Sequence, residues 1–207
     1  MPAHESKTKF LDAALKVIRT KGYDATTVDD ICAAARLTKG SFFHHFKSKE
    51  ELGVAAAAHW GETTADLFAS APYHALADPR DRLFGYVDFR KAMVRGELPE
   101  FTCFLGTMVQ DAYATHPALR EACDAGISEH AATLTGDIAA AKARYAPTAA
   151  WSAESLALYT QAVIQGAFIL AKARNGPAIA RDSLDHLRRY LELLFTQPQR
   201  SRKGKSR

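Results

Sequence analysis

Apolar residues recur at intervals of three and four along most of this chain, which is the spacing of an amphipathic helix. Near the N-terminus, one such stripe consists of Phe10, Ala13, Ala14, Val17 and Ile18. Valine and isoleucine are few, and no stretch sustains the apolar–polar alternation of a half-buried strand. The pattern therefore predicts an all-α protein.

Capping and breaking residues predict where the helices end. Thr27, Thr38 and Ser48 each precede a helical segment as candidate N-caps, and Ser48 opens the capping-box sequence SKEE. Gly22 suits the left-handed position that follows the first helix. The predicted helices span about 6–21, 28–35, 39–45, 49–68, 80–95, 103–114, 117–145, 153–174 and 178–195.

The first three helices are closely spaced. The stretch from Thr27 to Phe46 has the length of a helix-turn-helix unit, about 20 residues. We therefore expect a three-helix helix-turn-helix domain at residues 1–50, a larger helical domain at 51–197, and a basic, disordered tail at 198–207.

Charge is distributed unevenly around a net value of +4. Residues 1–50 hold nine basic and six acidic side chains, residues 200–207 hold five basic and no acidic ones, and the stretch between them is acidic. Two basic ends around an acidic middle are typical of a polyanion-binding head on a non-binding body. The alternative is that the basic tail is exposed to water and binds no partner.

Composition bears on the cellular compartment. The uninterrupted apolar runs are short, which predicts no membrane span, and the opening MPAHESKTKF lacks the apolar centre of a secretory signal. The three cysteines have no paired short spacing. They favour reduced thiols of a cytoplasmic protein over a disulfide or zinc framework.

Residues 22–52, GYDATTVDDICAAARLTKGSFFHHFKSKEEL, resemble the DNA-binding domain of TetR-family transcriptional regulators. The resemblance implies a DNA-binding head that contacts double-stranded operator DNA. It also implies a homodimer and a helical body with a small-molecule cavity, usually in a repressor that its effector releases. The matching elements are Gly22-Tyr23, Thr26-Thr27-Val28, Ile31, Ala34-Ala35, Lys39-Gly40-Ser41, the aromatic residues through Phe46, and Lys49-Glu50-Glu51-Leu52.

The chemistry of these residues agrees with contact to DNA. Helix N-termini after Thr27 and Thr38 offer free N–H groups to phosphate, and Lys39 and Lys49 bracket the third helix with positive charge. We expect Phe42 and Phe46 to face the core because they are four residues apart. In the family, DNA contacts fall at the positions of Thr27, Thr38, Lys39, Gly40, Ser41, Phe43, His44 and Lys49.

Phe43 departs from the family pattern, in which a tyrosine hydroxyl often reaches a phosphate from this position. Phe43 can pack on a sugar or a thymine methyl, but it cannot donate that hydrogen bond. His44 and His45 lie about 100° apart around a helix and have no third ligand at suitable spacing, so we predict neither a metal site nor a cofactor. We expect His45 to have a packing or backbone role; packing of both histidines is the alternative.

Two amphipathic helices near the C-terminus are sufficient for a four-helix dimer interface. Residues 155–172 offer Leu158, Ala162, Gly166 and Ile169, and residues 183–195 offer Leu184, Leu187, Leu191 and Leu194. Burial of both helices against the chain's own core is the alternative.

The cavity implied by the resemblance would lie among the middle helices, where aromatic and sulfur-containing residues are concentrated. Plain core packing of these residues is the alternative interpretation. We expect a small, largely apolar or electrophilic effector. Its candidate contacts are Trp60, Phe89, Phe101, Cys103, Phe104, Met108, Tyr113, Gln161, Gln165 and Phe168.

Cys103 has two interpretations. The segment FTCFLGTMVQDAYATHPALREAC resembles a branch of the family in which a cysteine at the start of this helix senses reactive electrophiles. A helix N-terminus favours the thiolate that such a reaction needs. The alternative is a small, buried, apolar side chain.

An enzyme and a scaffold that does not bind DNA are the rival classes. The chain has no G-x-x-x-x-G-K-[ST], G-x-S-x-G or H-E-x-x-H sequence. The match of residues 6–9, SKTK, to S-x-x-K is a short one at a terminus that we expect to fray. The sequence therefore favours a non-enzymatic regulator.

Overall fold

The computed structural model describes residues 3–195, and within these it contains helices and no strand. The described elements are α1 (Ala3–Lys21), α2 (Val28–Ala35), α3 (Lys39–His45), α4 (Lys49–Ala69), a 3₁₀ turn (Pro72–Ala75), α5 (Pro79–Met93), α6 (Leu98–Phe101), α7 (Phe104–Ala112), α8 (Pro117–Ala132), α9 (Thr135–Tyr145), α10 (Ala153–Ala173) and α11 (Ala178–Phe195). The all-α prediction is confirmed. The predicted basic tail, 198–207, lies outside the described residues.

Local capping defines the starts of α2, α3 and α4, as predicted. The hydroxyls of Thr27, Thr38 and Ser48 each accept a hydrogen bond from the N–H three residues ahead, at 3.1, 3.2 and 3.1 Å. In a capping box the Glu51 carboxylate would accept a hydrogen bond from the Ser48 N–H. Here it accepts instead from the N–H of the preceding residue, Lys47, at 2.7 Å. These caps satisfy backbone donors that the first turn of a helix leaves free.

The later helices differ from the prediction in two places. The short helix α6 was not predicted, and its end at Phe101 places Cys103 before α7 rather than inside it. The predicted helix over 117–145 is interrupted between α8 and α9. At this break Leu134 is buried in the core, and the Thr133 hydroxyl donates to the His130 carbonyl at 2.7 Å.

Two hydrophobic cores organise the molecule. The head core combines α1, α2, α3 and the first half of α4 with buried residues of α7 and α8, including Phe104, Met108 and Leu119. The body core is formed mainly by α5, α9, α10 and α11. Helix α4 joins the two cores, since Leu52 packs in the head core and Phe68 in the body core. The boundary predicted after residue 50 therefore falls within a continuous helix.

Helix α10 has the length and composition of a membrane span, which among the described helices is true of α10 alone. The sequence predicted this helix but no membrane span, because Thr160, Gln161 and Gln165 interrupt its apolar run. In the fold, α10 packs against α8, α9 and α11. Core helices of globular proteins have this same composition, so the helix is no argument for a membrane.

Candidate DNA-binding surface and effector cavity

Helix α3 divides into a buried side and an exposed side. Phe42 and Phe46 are almost fully buried, and both make edge-on contacts with Phe10 of α1, with ring centroids 5.5 and 6.4 Å apart. Phe43 is 56% exposed, and Ser41 is half-buried. We define the α3 surface as the exposed residues at this end of the molecule: Thr38, Lys39, Gly40, Phe43 and His44.

The two adjacent histidines lie in different environments. His44 is exposed, whereas His45 Nε2 lies 2.6 Å from the hydroxyl oxygen of Ser6 on α1. Burial lowers the pKa of His45, and the neighbouring His44 and Lys7 lower it further. His45 therefore fastens α3 to α1, in agreement with the expected packing role.

Thr27 is exposed, but its hydroxyl already has partners. It donates to the Asp30 carboxylate at 2.8 Å while it accepts from the Asp30 N–H. The Lys21 ammonium lies 2.8 Å from the same carboxylate. Hydrogen bonds from Lys21 and from the backbone and hydroxyl of Thr27 lower the pKa of Asp30 to about 2. The start of α2 is thus held rigidly.

The two predicted lysines differ in where their charges lie. Lys39 is paired with Asp29 at 2.9 Å, and both side chains are exposed. Exposed ion pairs contribute little to stability, so a phosphate could replace Asp29 at small cost. The Lys49 ammonium instead donates to the carbonyls of Tyr23 and Thr26, both at 2.9 Å. A phosphate contact by Lys49 would require it to leave these carbonyls.

A cavity of about 300 Å³ lies between the body helices and the C-terminal end of α1. This volume is at the lower end of the range for small-molecule sites, about 300–1,000 Å³. Six of the ten predicted contacts line it: Trp60, Phe101, Cys103, Gln161, Gln165 and Phe168. It adjoins a wider groove of about 810 Å³ between α4 and α8, with which it shares Gly61, Thr64, Phe68, Gly126 and His130.

The other four predicted contacts lie outside this cavity. Phe104 and Met108 are fully buried in the head core, and Phe89 packs on Phe68 and Tyr73. Tyr113, at the end of α7, is 61% exposed to solvent. An apolar stripe does not distinguish core from pocket, which is why the sequence grouped them together.

Several polar residues of the cavity were missed by the sequence reasoning. Gln161 donates to the Tyr86 hydroxyl at 3.0 Å, and that hydroxyl lies 3.0 Å from His130 Nε2. Burial and the nearby Arg90 lower the pKa of His130 to about 4, so the imidazole is neutral at pH 7. Arg19 and Arg90 also line the cavity. The sequence feature that could have indicated these residues is a charged side chain within an aromatic segment, such as Arg90 in YVDFRKAM.

Cys103 is the N-cap of α7. Its sulfur accepts from the Gly106 N–H at 3.4 Å, and the side chain is half-buried at the cavity wall. Cys32 and Cys123 are buried in the head core, where burial raises the pKa of Cys123 to about 12. Of the three thiols, that of Cys103 is the one that faces a ligand-sized space.

Helix α7 connects this cavity to the head. At its start Gly106 lies beneath the Gln165 side chain, where a Cβ would collide with Oε1. At its other end the Asp111 carboxylate accepts from the N–H groups of Tyr23 and Asp24, at 2.7 and 3.4 Å. A displacement at the cavity would therefore reach the turn between α1 and α2 through one helix of nine residues.

Among the described residues, six of the ten large apolar side chains that are exposed lie on α10 and α11. The large exposed side chains there are Leu158, Tyr159, Ile169, Leu170, Tyr190 and Leu193. Apart from its chain neighbours and the backbone of α10, no described atom lies within 4 Å of a Cβ placed on Gly166, so there is open space above this half-buried glycine. The dimer contacts predicted on α11 need correction. Leu184, Leu187 and Leu191 are buried in the body core and Leu194 packs against it, whereas Tyr190 and Leu193 face outward.

Two family models match the chain. The model described as bacterial regulatory proteins, tetR family, matches residues 10–56, and the model described as tetracyclin repressor-like, C-terminal domain, matches residues 79–187. The second match alone covers more than half of the chain. This chain belongs to the TetR family of transcriptional regulators.

Two curated transcriptional regulators match a short stretch of the chain. The transcriptional regulator AcuR of Cereibacter sphaeroides is 43% identical over 53 residues, which are 26% of this chain and 23% of AcuR. IcaR of Staphylococcus epidermidis, a negative transcriptional regulator of the biofilm operon icaADBC, is 41% identical over 46 residues, 22% of this chain and 25% of IcaR. The chain thus matches about a quarter of the length of these relatives.

A solved structure extends the similarity to the body. A TetR transcriptional regulator from Chloroflexus aurantiacus superposes with a TM-score of 0.79 at 26% identity, covering 91% of this chain and 95% of that one. The family and these relatives are transcriptional regulators rather than enzymes. The predicted fold and the predicted family are therefore confirmed.

Proposed function

We propose that this TetR-family chain is a repressor that binds operator DNA as a homodimer and is released by a small-molecule effector. The observation that carries the proposal is the position of α7, which has its N-cap at the cavity and Asp111 at the turn before α2. A ligand and DNA would then act on opposite ends of one rigid element.

The α3 surface enters the major groove in this proposal. Thr38 and Gly40 let the helix start approach a phosphate closely, and Lys39 exchanges Asp29 for that phosphate. His44 reaches base edges, and Phe43 packs on a sugar or a thymine methyl. At the start of α2, the free backbone N–H groups that follow Thr27 contact phosphate. The Thr27 hydroxyl contributes less, because it is already bonded to Asp30.

The outward faces of α10 and α11 pair with those of a second copy. Such a four-helix interface removes the exposed apolar side chains from water and leaves Gly166 where two helices approach closely. It also spaces two α3 helices for successive turns of the major groove, about 34 Å apart. The protein acts in the cytoplasm, where the DNA is.

Release follows from differential binding. The effector prefers a form of the cavity in which α7 is displaced, and α7 then shifts the turn that precedes α2. The coupling is reciprocal, so operator DNA would weaken effector binding by the same factor. An electrophilic effector would alkylate Cys103, the N-cap of α7, and thereby remove that cap directly.

Gel-shift titration against the DNA upstream of the protein's own gene tests the proposal. The wild type should bind with strong salt dependence, and Lys39→Gln should weaken binding and reduce the slope of log affinity against log salt by about 1. His44→Ala should cost about 1–3 kcal/mol of binding. Arg95→Gln, which removes an exposed charge after α5, is the matched control and should bind as the wild type does.

Thermal melts of the same variants separate binding from folding. Both α3 side chains are exposed, so the melting temperatures should stay within a few degrees of the wild type. Absence of salt-sensitive binding to any genomic fragment at low ionic strength would contradict the proposed function. So would a loss of stability as large as the loss of binding.

A further inference from the structure

Arg90, in the last turn of α5, is a half-buried cation whose side chain has no acceptor among the described residues. It lines the cavity and is half-buried, yet within residues 3–195 it makes no ion pair and no hydrogen bond through its side chain. The other described arginines that lack an acceptor, Arg36, Arg95, Arg174 and Arg189, are all exposed to water. Withdrawing a charge from water without a partner is costly.

Two aromatic rings hold this guanidinium in place. Its central carbon lies 5.2 Å from the ring centroid of Phe68 and 5.7 Å from that of Phe168. These contacts compensate part of the cost, but they leave the five N–H donors without an acceptor among the described residues. A guanidinium fixed between rings with free donors matches a carboxylate, which can accept two parallel hydrogen bonds.

The rest of the cavity supplies no anion to Arg90. The charged residues among its described lining are Arg19, Arg90 and Glu100. The Glu100 carboxylate accepts from the Glu97 N–H at 2.8 Å, and its charge acts on Arg19. Arg19 itself stacks at 4.9 Å over Trp60 and donates to the Leu15 carbonyl.

The groups around Arg90 are neutral and already bonded to one another. Tyr86, His130 and Gln161 form the continuous hydrogen-bonded set described above. Because Gln161 donates to the Tyr86 oxygen, the Tyr86 proton is left for His130 Nε2, which requires a neutral imidazole. The site thus offers a guanidinium that has no acceptor among the described residues, beside apolar walls.

We propose that the cavity binds a small amphipathic carboxylate, with its carboxylate on the Arg90 guanidinium and its apolar body against Trp60, Phe101 and Phe168. This inference rests on the proposed function, because it assigns a chemical class to the effector of the same cavity. The volume of about 300 Å³ suits a compact monocarboxylate with an aromatic ring or a short acyl chain. The guanidinium selects for charge, and the walls select for the apolar body.

Calorimetric titration of the full chain with matched acids and amides tests this. The probes are benzoate, 3-phenylpropanoate and hexanoate, each beside its neutral amide, at pH 7. In at least one pair the carboxylate should bind at least about tenfold more tightly than the amide, as a charged hydrogen bond requires. Arg90→Met, which keeps a side chain of similar length, should bring that ratio close to one, and Arg90→Lys should restore part of it. Arg95→Gln is the charge-matched control and should keep the wild-type ratio.

Three results would overturn the inference: equal affinity for acid and amide in every pair, no binding of any of the acids at millimolar concentration, or an Arg90→Met protein that still prefers the acid. The first two are read on the wild type and do not depend on how a variant folds. A protein that binds the acids but no DNA would contradict the proposed function and leave the carboxylate site standing. Release from DNA by amides as readily as by acids would contradict the carboxylate site and leave the proposed function standing.

Discussion

Phe43 places an apolar ring where the resemblance implies contact with the DNA backbone. The ring is 56% exposed and touches Phe42 edge-on, with centroids 5.2 Å apart. Its para position therefore has room for a hydroxyl. The family often has a tyrosine at this position, and its hydroxyl donates one hydrogen bond to a phosphate.

The substitution Phe43→Tyr should therefore tighten operator binding without changing stability. One added hydrogen bond is worth about 0.5–1.5 kcal/mol, so affinity should rise by about two- to tenfold in a fluorescence anisotropy titration. Phe46→Tyr is the matched control, because Phe46 is almost fully buried and its new hydroxyl would lower the melting temperature instead. An unchanged or weakened affinity of Phe43→Tyr would show that Phe43 does not face a phosphate.

His130 makes stability depend on pH. The folded state lowers its pKa to about 4 from the ordinary value of 6.5, so the unfolded chain takes up the proton first as the pH falls. Its contribution is fully present above pH 6.5 and is lost between pH 6.5 and 4. The shift corresponds to roughly 3 kcal/mol of unfolding free energy over that window.

Denaturant unfolding at pH 7 and pH 4.5 checks this assignment. His130→Gln, which removes the titrating imidazole, should lose less stability between the two pH values than the wild type does. His186→Gln, on an exposed position of α11, should retain the wild-type loss. Identical pH dependence in the wild type and His130→Gln would mean that another group is responsible.

Helices α10 and α11 carry the dimer proposal. Ile169→Glu or Leu193→Glu would place a carboxylate in the centre of an apolar interface, and burial of an unpaired charge is strongly unfavourable. Light scattering should show monomers, and operator affinity should fall by more than tenfold because both half-sites are no longer bound together. Leu76→Glu, an equally exposed leucine outside these helices, should leave the dimer intact. A dimeric Ile169→Glu protein with normal operator affinity would place the interface elsewhere.

The elements differed in how well the sequence specified them. The caps at Thr27, Thr38 and Ser48 were predicted because a cap depends on residues within one turn of each other. The break between α8 and α9 was missed because it depends on burial of Leu134 by distant helices. The leucine stripe of α11 has the correct period, but periodicity does not say which apolar face meets the chain's own core.

The candidate sites follow the same physical division. The exposed side of α3 could be predicted, because the spacing of Phe42 and Phe46 leaves Phe43 and His44 on the opposite side. The cavity could be predicted only in part. Phe104 and Met108 belong to the head core, and the unpaired state of Arg90 depends on which charged groups the fold brings near it.

At the scale of the whole molecule, the junction between head and body depends on Gly22. Its φ is +85°, and a Cβ there would lie 2.6 Å from Oδ2 of Asp111, the residue that holds the α1–α2 turn. Gly22→Ala combines backbone strain with this collision and should lower the unfolding free energy by roughly 1–3 kcal/mol.

Gly61→Ala is the matched control, because Gly61 lies in the middle of α4 with open space around it. This substitution should raise the unfolding free energy by about 0.5–1 kcal/mol. Denaturant titration of both variants is the measurement, and a Gly22→Ala protein as stable as the wild type would contradict the tight junction.

The head core has a consequence for protein engineering. A chimaera that transferred residues 1–50 onto another regulator would carry away Phe10, Ile31 and Phe42 but leave behind Phe104, Met108 and Leu119, against which that core is packed. If the proposed function is right, operator specificity therefore could not be exchanged by transferring residues 1–50 alone. A working exchange would have to bring α7 and the start of α8 along with the first four helices, or would have to replace only the exposed side chains of α3.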